Sequence, residues 1–220
     1  MIPEEIKCII SDEAYMLDEM GKSHSTIRIY KDKILKIQNN TNEAKNELSM
    51  LQFLHEKLPV PEVYAHMEMN DKLYILMSKC PGKMLCDDYY MENHEILIKS
   101  IADGLKKLWS VDISQCPSNQ RLDVKLKQAE YDINNSNFDI NDANPTTFGP
   151  DGFKDPTDLL NWLKENRPEE ELVLSHGDFC LPNFFATGEK VTGIIDIGKC
   201  GIADKWCDIA LCYRSLSHNY

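Results

Sequence analysis

With 220 residues, 42% of them hydrophobic, the chain can bury one sizeable core or two small lobes, which excludes a peptide or a linker. Its net charge of −12 disfavours nucleic acid and anionic membrane as partners, and the excess is uneven: residues 1–80 carry 13 acids and 10 bases, the rest 23 acids and 14 bases. The apolar runs are too short to span a bilayer, the N-terminus lacks a signal pattern and the eight cysteines contain no C-x-x-C pair, so a cytoplasmic protein with reduced thiols is expected.

In chain order, Ser25–Tyr30 and Lys33–Ile37 alternate as strands and are joined by Lys31-Asp32, which predicts a hairpin. Thr41 or Asn42 can cap a helix running to about Lys57, where Leu58-Pro59-Val60-Pro61 stops it. Strands near Glu62–Met67 and Lys72–Met77 complete a small sheet, and Ser78-Lys79-Cys80-Pro81-Gly82 breaks it. Beyond this break the periodicity turns helical, so a hinge is placed here, with an N-terminal lobe at 1–78 and a second lobe at 79–220. Helices are expected at about His94–Trp109 and Asn119–Asn134, then a long polar loop from Asn135, then a helix opened by Asp155-Pro156. A strand at Glu171–Leu174, a loop, a strand at Val191–Ile195 and a helix containing Trp206, Ile209, Ala210 and Tyr213 follow.

The chemistry concentrates in His176-Gly177-Asp178-Phe179-Cys180-Leu181-Pro182-Asn183 and, one apolar strand later, Ile194-Ile195-Asp196-Ile197-Gly198. This spacing lets one loop and a neighbouring turn aim an acid, an amide and a second acid at one magnesium-bound triphosphate, as phosphoryl transfer requires. His176 has no Cys/His partner at ligand spacing, so a ring bonded to backbone is expected rather than a metal ligand. Lys36, on the second strand of the hairpin, is the candidate phosphate-binding cation. Glu47, 11 residues later on the following helix, is its candidate partner, with Glu43 one turn earlier as the rival. Gly21-Lys22-Ser23 falls at the expected tip of the first hairpin, where glycine and a hydroxyl suit a phosphate, and backbone groups of Ser78 and Cys80 lie where an adenine edge can be read.

Set in order, these residues make the chain resemble the aminoglycoside phosphotransferases, most closely the aminoglycoside 3′-phosphotransferases. The likeness includes Leu58-Pro59-Val60-Pro61, Val111-Asp112-Ile113-Ser114, Phe153-Lys154-Asp155-Pro156 and Ala203-Asp204-Lys205-Trp206-Cys207-Asp208-Ile209-Ala210, and covers nearly the whole chain. The resemblance implies an α+β, two-lobed protein-kinase-like fold, with an N-terminal β-sheet lobe and a mainly helical C-terminal lobe. It also implies transfer of the γ-phosphate of ATP or GTP, with Mg2+, to a 3′-hydroxyl of an aminoglycoside, an activity that confers antibiotic resistance. Residue by residue, Asp178 would orient the hydroxyl and Asn183 and Asp196 would hold magnesium. Lys36 and Glu47 would grip the phosphates and Ser23 would touch them, while Arg214, Asp139 and Asp142 lie where relatives contact the drug.

Two departures stand out. Ile34 occupies the place where relatives often stack an aromatic ring on adenine, and the resemblance implies further helices beyond Tyr220, so an acceptor pocket completed differently, or a fragment, is expected. Two other readings compete: a kinase of another small hydroxylated molecule, which would share the phosphate apparatus, and an inactive nucleotide-binding homologue.

Overall fold

The computed structural model describes residues 2–11, 13–17, 25–140 and 143–219. Its N-terminal sheet contains β1 (Met16–Leu17), β2 (Thr26–Ile29), β3 (Lys33–Asn39), β4 (Val63–Met69) and β5 (Lys72–Ser78). All are antiparallel, in the spatial order β1-β2-β3-β5-β4. Asn70 and Asp71 both take left-handed backbone between β4 and β5, the conformation that a two-residue hairpin turn needs.

Side chains alternate across this sheet, and the alternation divides its two faces. Leu35, Tyr74 and Leu76 close a small core with Tyr30 and with Ile6 and Ile10 of α1 (Glu4–Ile10). That helix is not anticipated from the sequence, although Pro3, two first-turn acids and apolar residues at i and i+4 are its signal. Leu73, Ile75 and Met77 face the other way, into the main core with Met50, Leu51 and Leu54 of α2 (Asn42–Leu54). Lys36 sits opposite Ile75 in the register, so the pleat carries a charged side chain onto this α2 side. Thr41 caps α2 by accepting the Ala44 N–H. The helix ends three residues before the expected Lys57: Glu56 turns left-handed and the Leu58 N–H returns to the Leu54 carbonyl.

The remaining elements are β6 (Lys83–Met84), α3 (Asp88–Glu92), α4 (His94–Trp109), α5 (Leu122–Asn134), α6 (Pro156–Glu165), β7 (Leu172–Ser175), β8 (Phe184–Thr187), β9 (Lys190–Ile194), β10 (Gly201–Asp204) and α7 (Lys205–Asn219). β8 lies between β6 and β9 in a small antiparallel sheet, and β7 pairs with β10. α5 starts later than expected because Ser118 and Gln120 exchange backbone hydrogen bonds with Ile202 of β10. α6 starts as expected, with Asp155 accepting the Asp158 N–H and Pro156 opening the first turn. Leu85, Leu97, Leu108, Phe179, Phe184 and Ile194 join the α2 and β5 residues in one apolar cluster, which brings the second part of the chain against the sheet. The expected α+β arrangement is therefore observed, a sheet followed by a mainly helical part. Among the described residues no helix is long and apolar enough to cross a membrane, and all eight cysteines are free thiols.

Candidate active site

One hairpin pairing and one histidine ring bring the sequence motifs together. β8 and β9 pair Phe184 with Ile194, and one step beyond, the Ile195 N–H donates to the Asn183 carbonyl at 3.0 Å. Asn183 and Asp196 thus emerge at the same end of one ladder. The His176 ring joins this end to the Asp178 loop: Nε2 meets the Ile195 carbonyl at 3.0 Å, and the Asp178 N–H donates to Nδ1 at 3.2 Å. The neutral Nε2–H tautomer satisfies both bonds, and complete burial, working against the charge of Asp208, holds the imidazole below its ordinary pKa. His176 is a backbone-bonded strut, as its isolation in the sequence implies.

Lys36 and Glu47 meet as expected. Their buried pair closes at 2.6 Å, with Lys36 7% and Glu47 3% exposed, and the second Glu47 oxygen accepts Gln38 Nε2 at 2.7 Å. The rival, Glu43, instead packs beside Gly198, where an added Cβ would come within 2.8 Å of Glu43 Cγ. Lys36 also reaches Asp196 Oδ1 at 3.0 Å, across 160 residues of chain. Burial opposes the ammonium most strongly, but Glu47 and Asp196 together outweigh it and hold the Lys36 pKa above its ordinary value. Asp196 adopts left-handed backbone (φ 57°, ψ 49°), and its side chain stays 49% exposed at the cleft.

Beneath the loop lies a further buried carboxylate. Asp208, fully buried in the first turn of α7, accepts the Ser175 hydroxyl at 2.9 Å and the N–H groups of His176 and Gly177 at 3.2 Å each. Burial raises its pKa, opposed by these hydrogen bonds and by His176. Gly177 is left-handed, and a Cβ there would lie 2.2 Å from the Lys199 carbonyl oxygen, so a side chain is excluded. Farther along α7, Ser215 Oγ accepts the Leu181 N–H. The buried line of α7 is therefore Asp208, Cys212 and Ser215, while Trp206 and Tyr213 are exposed. Polar side chains occupy this buried line because the loop above presents N–H groups that need acceptors. The signal was an acid three residues from Leu211 in an otherwise apolar stretch.

The other site residues divide. Cys180 Sγ donates to Asp178 Oδ1 at 3.0 Å, and Asn183 Nδ2 donates to the Asp178 carbonyl at 3.0 Å. Burial and then Asp178 push the Cys180 thiol up to about 12, opposed by Ser215 and by Arg214, which is exposed on α7. The Ser78 N–H is committed to the Glu62 carbonyl and its hydroxyl accepts the Glu62 N–H. Burial pushes the Cys80 thiol up to about 11. Asp139 is exposed in the connection between α5 and α6, and Ser23 and Asp142 lie outside the described residues.

A family model described as the phosphotransferase enzyme family matches residues 18–220. The chain belongs to this family. Within it, the chain is similar to the aminoglycoside 3′-phosphotransferase of Enterococcus faecalis, 41% identical over 178 residues that cover 80% of this chain and 66% of the relative. It is 36% identical to the enzyme of the same name from Staphylococcus aureus, over 97% of this chain and 81% of that one. The chain thus spans slightly under two thirds of the first relative and about four fifths of the second. Its fold matches the crystal structure of aminoglycoside-3′-phosphotransferase of type VIII with a TM-score of 0.77 at 24% identity, covering 97% of this chain and 82% of that one. A Streptomyces rimosus aminoglycoside phosphotransferase solved in complex with ADP and streptomycin gives a TM-score of 0.76 at 18% identity, with coverages of 97% and 81%.

For a member of the phosphotransferase family, the donor set at the cleft suits magnesium. Among the described residues no group of three or more His, Cys, Asp or Glu side chains could cage a metal. Magnesium does not ask for one, since it keeps waters and takes one or two protein oxygens beside substrate phosphates. Asn183 spends its amide nitrogen on the Asp178 carbonyl, so its oxygen is the end that could meet a cation, and Asp196 offers a half-exposed carboxylate.

Proposed function

We propose that this chain moves the γ-phosphate of ATP or GTP onto a hydroxyl of an aminoglycoside, the 3′-hydroxyl by likeness to its relatives. The observation that carries this reading is the Lys36–Asp196 ion pair, which unites the candidate phosphate-binding cation and the candidate metal-holding carboxylate at one cleft. Lys36, held by Glu47, grips phosphate oxygens. Asp178 orients the acceptor hydroxyl and takes its proton at a carboxylate oxygen as the new O–P bond forms and the bridging bond to the departing diphosphate breaks. Magnesium, held when bound by Asn183 and Asp196, supplies neutralising charge for the phosphate oxygens. By likeness to its relatives, Arg214, Asp139 and Asp142 contact the acceptor, a polycation that carboxylates in several arrangements can meet. Backbone groups of Ser78 and Cys80 read the base, the Ser78 N–H being already engaged by Glu62, and Ser23 serves the phosphates. A lobe boundary between Ser78 and Lys79 and residence in the cytoplasm belong to the same reading, the latter supported by the free thiols.

The test is aminoglycoside-dependent release of ADP by wild type and Asp178→Ala, with kanamycin or neomycin as acceptor. Loss of the positioned base is expected to lower kcat by roughly two to four orders of magnitude. Equal rates for the two proteins, or turnover indifferent to the aminoglycoside, would overturn the assignment.

A further inference from the structure

Asn46 precedes Glu47 on α2, and its side chain turns away from the Lys36 pair toward the segment that follows Asp196. There its amide nitrogen donates to two backbone carbonyls, of Gly198 at 2.8 Å and of Cys200 at 2.9 Å. The two acceptors flank Lys199 in the short 3-10 turn Ile197–Lys199, whose end is closed by the Cys200 N–H on the Ile197 carbonyl. Glu43, one turn earlier on the same helix, lies so close to Gly198 that an added Cβ would contact it. α2 therefore meets this turn through a two-bond clasp at Asn46 and a close packing contact at Glu43, both on the N-terminal side of Glu47.

The consequence is mechanical. Glu47 fixes Lys36, Lys36 bonds Asp196, and Asn46 ties the helix that carries Glu47 to the turn that starts at Asp196. We propose that Asn46 is a positioning residue that makes α2 and the Asp196 turn one rigid unit, so that the phosphate-gripping cation and the metal-holding carboxylate are set at a fixed separation before nucleotide arrives. Asn46 touches neither nucleotide nor metal and acts through Asp196. The inference rests on the phosphotransfer reading for its purpose, while the clasp itself is a property of the free chain. A short amide is suited to this place: it carries two N–H donors for two carbonyls on a one-carbon stem. A carboxylate of the same shape would turn two acceptors against two acceptors.

The test compares wild type, Asn46→Ala, Asn46→Asp, Asn46→Gln and the outward-facing control Gln52→Ala. Two readouts are used: calorimetric titration with Mg-ATP in the absence of acceptor, and hydrogen exchange of the amides of residues 197–200 in the free protein. Losing two net hydrogen bonds is expected to weaken Mg-ATP binding roughly 5- to 50-fold in Asn46→Ala. Asn46→Asp should lose more, Asn46→Gln should recover part through its longer amide, and Gln52→Ala should match wild type. Amide exchange at residues 197–200 should quicken in the order in which affinity falls, and where turnover is measured, nucleotide KM should rise while acceptor KM holds. Wild type that fails to bind Mg-ATP would overturn the phosphotransfer reading and this inference together. Wild type that binds, with Asn46→Ala binding equally well and exchanging no faster at residues 197–200, overturns the inference alone. Should Asn46→Ala prove unfolded, the folded Asn46→Gln decides by the same two measurements: wild-type affinity together with wild-type exchange is then not expected, and finding both would count against the clasp.

Discussion

In the cleft, the carboxylate of Glu47 is almost wholly buried and gripped by two donors, Lys36 and Gln38, whereas Asp139 and Asp151 stand exposed in the connection between α5 and α6. The first arrangement holds its charge between two donors inside the protein. The second keeps its charge at the solvent surface. Phosphoryl transfer needs the former, because its catalysis is positioning and electrostatic stabilisation around a group of constant shape. Recognition of a flexible polycation needs only the latter, since long-range attraction raises encounter rates without demanding one geometry.

Substitution at the gripped end should show the largest effect. Lys36→Met leaves Glu47 buried without its cation, and breaking a buried pair from one side costs about 3–5 kcal/mol. Chemical denaturation should reveal that loss together with the collapse of nucleotide binding. A midpoint within about 0.5 kcal/mol of wild type would mean that the pair is not buried in solution.

Acid should expose the same region at intermediate cost. His176 has a folded-state pKa below its unfolded value of about 6.5, so the unfolded chain binds the extra proton first. Stability is then full above about pH 6.5 and declines as pH falls through the window between the unfolded and folded values, by at most about 1.4 kcal/mol per pH unit. Asp208, raised by burial, takes up its proton more readily in the fold than out of it and softens that decline at lower pH. Thermal melting between pH 7.5 and 5.5 measures the sum; a melting temperature that rises steadily over that interval would contradict a neutral, buried His176.

The exposed connection should respond least. Asp139→Asn is expected to raise acceptor KM about two- to five-fold at low salt and scarcely at all at high salt, because exposed charges are screened beyond a Debye length. Steady-state kinetics at two ionic strengths would separate this from a fixed contact, whose loss would be large and insensitive to salt.

The same contrast explains what could be read from the sequence. The Lys36–Glu47 pair was legible because a strand-to-helix step places Glu47 opposite Lys36, and the approach of Asp196 to Lys36 because residue type and spacing in the two motifs suggest a shared site. The β2–β3 hairpin, the Thr41 and Asp155 caps and the β5 strand followed from period and turn chemistry. Asp208 and Asn46 were not legible. Both serve backbone groups, and a carbonyl or an N–H that lacks a partner leaves no mark on the residue type that carries it. β8, β10 and α1 were missed: β8 and β10 follow the short 3-10 turns Leu181–Asn183 and Ile197–Lys199 almost directly, so no loop sets them off, and α1 spans only seven residues.

The left-handed backbone at Asp196 places two separate demands on one position. Its backbone favours glycine, asparagine or aspartate, since other side chains crowd the following carbonyl in that conformation. Its place beside the Lys36 ammonium favours an anion. Aspartate alone meets both, so asparagine here would preserve the shape of the turn while removing its charge, and glutamate would keep the charge while straining the turn.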